Sequence, residues 1–60
     1  MSGYIALRKG LRVLVDERTS GAGWGVVKSF DQWTVIVVAD LDGVARMFGR
    51  SQIVRSEDAP

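Results

Sequence analysis

The chain has 60 residues, 47% apolar and 25% charged, and its eight basic and seven acidic side chains leave a net charge of +1. This length holds a single small domain, expected to span residues 1–60 with an ordered part from about residue 4 to about residue 56. The absence of cysteine and histidine excludes disulfides and imidazole chemistry and argues against a zinc site, so no metal or cofactor is predicted.

The predicted elements are all strands. Nine valines and three isoleucines outnumber four leucines, and no long stretch carries a helical apolar period free of glycine. In chain order the strand candidates are Leu11–Val15, Trp24–Phe30, Trp33–Ala39, Val44–Phe48 and a short Ile53–Arg55.

The connections between these strands differ in length. Residues 16–23 form a long first loop, Asp31 and Gln32 a short turn, and residues 40–43 (DLDG) a tight hairpin turn with Gly43 at positive φ. Residues 49–52 suit one 3₁₀ turn before the last strand. This pattern predicts an all-β fold, a five-stranded SH3-like barrel with a short 3₁₀ turn before its last strand.

Two segments carry a resemblance to a known group. Residues 9–15 (KGLRVLV) place Lys-Gly before alternating valines, and residues 23–30 (GWGVVKSF) place Gly25, Val27 and Phe30 in a Gly-x-Val-x-x-aliphatic pattern. The chain thus resembles KOW and Tudor-type SH3-like domains over roughly residues 9–55. The resemblance implies a small non-enzymatic binding module that contacts nucleic acid or a nucleic-acid-associated protein.

The third strand candidate is apolar on both sides. Strand residues alternate between two faces, so Val35 and Val37 point one way and Ile36 and Val38 the other. Either the strand meets core on both sides, or the surplus is an ordinary small patch, or it is an interface. The interface hypothesis places an oligomer or partner contact on Trp33, Val35 and Val37, with Leu14 and Val26 as neighbours.

Basic and aromatic residues suggest a second surface. Six of the eight basic residues are arginine, which binds phosphates and carboxylates bidentately and stacks on aromatic rings. Solvated strand faces explain the same residues, and tryptophan is also a normal core or interface anchor. The candidate contacts for nucleic acid or a partner are Arg12, Trp24, Lys28, Arg46, Phe48 and Arg50.

Two further patterns have simpler explanations. Residues 21–25 (GAGWG) lead into a strand without a following Lys-Ser/Thr pair, so they indicate a flexible loop rather than a phosphate loop. Asp40 and Asp42 flank a turn that aspartate itself favours, and the spaced ligands of a calcium loop are missing. No catalytic residues are predicted, and the chain is not expected to be an enzyme.

Location and partners follow from the same features. The N-terminal ten residues lack the pattern of a secretory signal, and the longest apolar run, residues 35–39, is far below the roughly 18 residues that span a bilayer. We therefore expect a cytoplasmic protein without membrane contact, and the starting methionine and short tail favour a complete small protein. Nucleic acid, a protein partner and a second copy of the chain remain open as partners. The main alternative to the nucleic-acid module is a structural or assembly protein that associates through its third strand.

Overall fold

The computed structural model describes residues 6–57, and these residues form five strands and one 3₁₀ turn. The elements are β1 (Arg12–Val15), β2 (Gly23–Phe30), β3 (Thr34–Ala39), β4 (Ala45–Gly49), the 3₁₀ turn Arg50–Gln52, and β5 (Ile53–Ser56). The all-β class, the strands and the turn before the last strand are confirmed. Residues 4 and 5 of the expected ordered part, and residues 58–60 of the polar tail, lie outside the described residues.

The strands form one antiparallel sheet with the order β4-β3-β2-β1-β5. Within residues 6–57, β4 and β5 are the two edges, so this sheet is not closed into the predicted barrel. The strand β5 has four residues and a register shift opposite Leu14 and Val15, and its pairing is with β1. The described residues contain no pairing of β4 with β5 that would close the sheet.

One face of the sheet carries the hydrophobic core. Residues of β1 alternate between half-buried and buried, as expected for a strand with one side against the core. The partly buried Leu7 packs against the same cluster. The buried apolar side chains of the described residues are Leu11, Val13, Val15, Val27, Val35, Val37, Phe48 and Ile53.

Two aspartates build the turns that set the strand register. Asp42 Oδ1 accepts a hydrogen bond from Val44 N at 3.0 Å, while Gly43 adopts φ +70° and donates to Ala39 O at 2.8 Å. In the preceding turn, Asp31 N donates to Thr34 O at 2.9 Å. Both predicted turns are confirmed, because each has the local hydrogen bonds that aspartate supplies.

The long loop at residues 16–22 is tied to the 3₁₀ turn by Gln52. Its side-chain oxygen accepts from Gly49 N at 2.7 Å, and its side-chain nitrogen donates to Thr19 Oγ1 at 3.0 Å. Asp16 N also donates to Gln52 O at 2.7 Å. One residue thus joins the end of β4 to the loop between β1 and β2.

Candidate functional site

The side of the sheet opposite the core is also largely apolar. Residues paired across neighbouring strands project to the same side, and Val26 lies between Arg12 and Val38 in this register. Ile36 lies opposite Met47 on the next strand. We call this surface the outer face, and its apolar members are Leu14, Trp24, Val26, Ile36, Val38, Ala45 and Met47.

The predicted interface on the third strand is corrected by this arrangement. Val35 and Val37 are 0% and 2% exposed, because Val35 lies opposite the buried Phe48 and both valines belong to the core. They are therefore not available to a partner. Trp33 is 72% exposed, but it precedes β3 and is not part of the outer face. The exposed side of β3 is instead formed by Ile36 and Val38.

The outer face becomes more exposed toward the open edge of the sheet. Ile36 and Val38 are half-buried, whereas Met47 on β4 is 66% exposed. At the opposite end, an open groove of about 470 Å³ runs past Leu14 and Val54, with Asp16 and Glu17 among its lining residues. The apolar surface thus extends from the β4 edge to a groove with an acidic border.

Arg12 is held on the outer face by aromatic and acidic neighbours. Its guanidinium lies 5.2 Å from the centroid of the Trp24 ring and forms ion pairs with Asp40 and, at 3.2 Å, with Glu57. The hydrogen bond to Asp40, followed by that to Glu57, raises the pKa of Arg12 above its ordinary value. Arg12 therefore covers part of the Trp24 ring, and two carboxylates offset its charge.

Arg46 lies on the other side of the sheet from Arg12. It is paired with Val37, a core residue, and its guanidinium forms an ion pair with Asp42 at 2.8 Å. The hydrogen bond from Arg46 lowers the pKa of Asp42 and raises the pKa of Arg46. The Arg46 side chain also lies against Gly21 of the long loop, where an added Cβ would be 2.7 Å from its Cδ.

The remaining predicted contacts lie in three other places. Lys28 is exposed where the register shifts in β2, and Arg50 donates to Asp31 O at 3.0 Å with its guanidinium 6.0 Å from the Phe30 ring centroid. Phe48 is 6% exposed and belongs to the core, so the prediction that it stacks on a ligand is wrong. Of the four predicted cations, Arg12 and Arg46 lie on opposite sides of the sheet.

Asp31 beside Arg50 gives the protein a predictable response to acid. Hydrogen bonds to its carboxylate from Thr34 N, from Trp33 N and from the Thr34 hydroxyl hold the pKa of Asp31 below its usual range. A carboxyl whose pKa is lowered on folding stabilises the fold above its unfolded pKa, about 3.9, and this contribution is lost as pH falls through the folded pKa.

We expect Asp31→Asn to lower the free energy of unfolding at pH 7. The difference in this free energy between the variant and the natural chain should become smaller below about pH 4. Urea unfolding followed by tryptophan fluorescence from pH 7 to pH 2 measures this difference in free energy. Asp42, whose pKa is also lowered, remains in the variant and preserves some acid sensitivity. A difference that stays constant from pH 7 to pH 2 would contradict the lowered pKa of Asp31.

Sequence reasoning missed part of the outer face. Leu14 and Val26 were expected as neighbours of the predicted interface, and they lie on the outer face. Met47 also lies on the outer face and was not expected at an interface. The signal was the hairpin turn: counting back from residues 40–43 pairs Val38 with Ala45, Ile36 with Met47 and Val35 with Phe48. Because Phe48 is the large apolar residue of β4, that count assigns Val35 to the core.

The acidic side chains of the described residues do not gather into a metal site. Nowhere between residues 6 and 57 do three metal-ligating side chains of histidine, cysteine, aspartate or glutamate come together. Asp40 and Asp42 bind different arginines, Arg12 and Arg46. The described part of the chain contains no helix long and apolar enough to cross a membrane.

Fold and surface together define a class: a small all-β protein with one five-stranded antiparallel sheet, one face buried and the other largely apolar. Comparison with protein-family models, curated proteins and solved structures finds no match to this chain. The resemblance to KOW and Tudor-type domains stays a prediction.

Proposed function

We propose that this chain is a non-enzymatic assembly protein that associates with a second copy of itself through its outer face. The observation that carries this proposal is the row of apolar side chains across three strands, from Val26 through Val38 and Ile36 to Met47. A sheet with one face on the core usually has polar residues on its other face. Contiguous exposed apolar surface bordered by charge is typical of a protein interaction site.

The size of the domain supports the same proposal. A chain of 60 residues buries only about 60% of its unfolded surface and gains little stability from one core. Covering the outer face removes further apolar area from water, at about 25 cal/mol per Å². Association with a second copy or a larger complex therefore stabilises a fold of this size.

Nucleic-acid binding is less well supported by the same geometry. Arg12 and Arg46 lie on opposite sides of the sheet, and each forms an ion pair with an aspartate. A phosphate at Arg12 or Arg46 would have to compete with these carboxylates. The same experiment can test both functions.

The test is sedimentation velocity of the natural chain at rising concentration, combined with amide NMR of the labelled protein. We expect larger species at high concentration, with amide shifts on β2, β3 and β4 at Val26, Ile36 and Met47. In Ile36→Lys a charge replaces a central apolar side chain, and we expect association to be about tenfold weaker or more. The control is Val44→Lys, which also replaces a β-branched apolar side chain by lysine, at a position that is 47% exposed and lies outside the outer face.

Titration with single-stranded DNA, duplex DNA and RNA at low and moderate salt completes this experiment. A monomer at all concentrations, together with salt-sensitive shifts at Arg12, Lys28 and Arg50, would favour the nucleic-acid module and overturn self-association. Equal weakening by Ile36→Lys and Val44→Lys would show that the outer face has no special role.

A further inference from the structure

Among residues 6–57, no strand pairs with the outer edge of β4, which lies next to the outer face. Ala39 N donates to Val44 O at 3.1 Å and Arg50 N donates to Trp33 O at 3.0 Å. The backbone N–H and C=O groups of the even-numbered residues of this segment therefore point toward β3. Backbone direction alternates along an antiparallel strand, and the groups of Ala45 and Met47 therefore point away from the sheet. Gly49 N, which also points outward, is satisfied by Gln52.

The β4 edge carries only one of the usual protections against strand pairing. Natural edges are blunted by proline, lysine, bulges or inward charges, and β4 has neither proline nor lysine and pairs with β3 without a register shift. Its one inward-directed charge, Arg46, lies opposite Val37 and is offset by Asp42 at 2.8 Å. The other edge, β5, has a register shift against β1 and is one residue shorter than the five of β4. The regular edge is thus β4.

We infer that a second copy of this chain adds to the sheet by antiparallel pairing of β4 with β4, centred on Met47. This inference rests on the proposed assembly function and adds a second contact, at the β4 edge of the sheet, to the one through the outer face. In this register Met47 faces its counterpart, and Arg46 lies opposite Phe48. The two outer faces then become one continuous apolar surface across a ten-stranded sheet.

Charge selects this register over the adjacent one. Centring the pair on Arg46 would place two arginines directly opposite each other, and like charges at such positions are destabilising. Centring it on Met47 separates the arginines and brings two exposed apolar side chains together. Small residues, Ala45 and Gly49, then oppose each other at both ends of the paired segment.

The contact area predicts a weak dimer. A five-residue strand is about 17 Å long, and a strip one sheet thick covers far less than the roughly 800 Å² per partner typical of stable complexes. The chain has no cysteine, so a single introduced thiol reports position without interference. Covalent trapping is therefore the appropriate test.

The experiment compares disulfide formation in Met47→Cys, Arg46→Cys and Leu41→Cys under mild oxidation. Directly opposed residues of a hydrogen-bonded pair have Cα atoms about 5.5 Å apart, within disulfide range, so we expect Met47→Cys to form dimers at least about tenfold faster than the others. Leu41, 96% exposed at the hairpin turn, measures random collision. Met47 is exposed, so its replacement leaves the core intact.

Each outcome decides the inference. Faster crosslinking of Arg46→Cys would overturn the Met47 register in favour of the adjacent one. Rates for Met47→Cys no higher than for Leu41→Cys would overturn pairing at the β4 edge. If the natural chain still associates in sedimentation under that result, the assembly function stands and only the edge geometry fails; if it does not associate, both fail.

Discussion

Replacing Phe48 by alanine is expected to unfold most of the protein. Phe48 is the largest side chain of the core and is 6% exposed, opposite the fully buried Val35. Truncating a buried phenylalanine to alanine costs about 3–5 kcal/mol, from lost burial and from the cavity that remains. A domain of this length has a total stability of only about 3–9 kcal/mol.

The neighbouring residue supplies the control for this prediction. Met47 is 66% exposed on the outer face, and we expect Met47→Ala to change the free energy of unfolding by about 0.5 kcal/mol or less. Urea unfolding followed by circular dichroism measures both variants. A stable Phe48→Ala protein would mean that Phe48 is accessible, and would restore it as a candidate for ligand stacking.

Gly25→Ala is expected to have the second largest effect. Gly25 is the third residue of β2 and lies opposite Ala39, where an added Cβ would be 2.5 Å from Val37 Cγ1 and 2.6 Å from Val38 O. The valine methyl belongs to a buried side chain and the oxygen to the backbone of β3, so neither moves at low cost. Overpacking of this kind costs about 1–3 kcal/mol, and we expect the upper part of that range because backbone is involved.

Gly49→Ala is the matched control at the end of β4. An added Cβ there would meet Gln52 Oε1 at 3.6 Å and Ser51 Oγ at 3.8 Å, which are ordinary contacts, and Gly49 has φ −73°. We expect its stability to stay within about 0.5 kcal/mol of the natural chain, because alanine adopts this conformation without strain. Equal midpoints for the two variants in thermal unfolding would show that the β2–β3 contact at Gly25 is looser than the structure indicates.

The turns of the protein could be predicted from the sequence, whereas the close contact at Gly25 could not. The turns at Asp31 and at residues 40–43 were predictable, because aspartate and glycine set them with local hydrogen bonds. The close approach at Gly25 was not, because it depends on Val37 and Val38 of another strand. A glycine within a strand candidate does not reveal which side chain faces it.

The candidate site follows the same division. Arg12 and Arg46 both lie in strands that the sequence predicts. The sequence does not reveal their partners: Arg12 lies opposite Val26 on the outer face, and Arg46 lies opposite the core residue Val37. The ion pairs of Arg12 join it to residues 28 and 45 positions away in the chain, so local sequence patterns do not reveal these partners. A single basic patch was therefore a natural expectation, and the strand register separates two of its members, Arg12 and Arg46.

The sequence by itself determined the class of the protein, the positions of its strands and the kind of turn at each connection. Those properties depend on alternation, β-branched residues and turn chemistry within a few residues. Only the tertiary structure decided which side of β3 is core, that Phe48 is buried and that β4 is left as an open edge. The physical reason is the strand period of two: where both sides are apolar, alternation cannot identify the core, and only pairing with distant strands does.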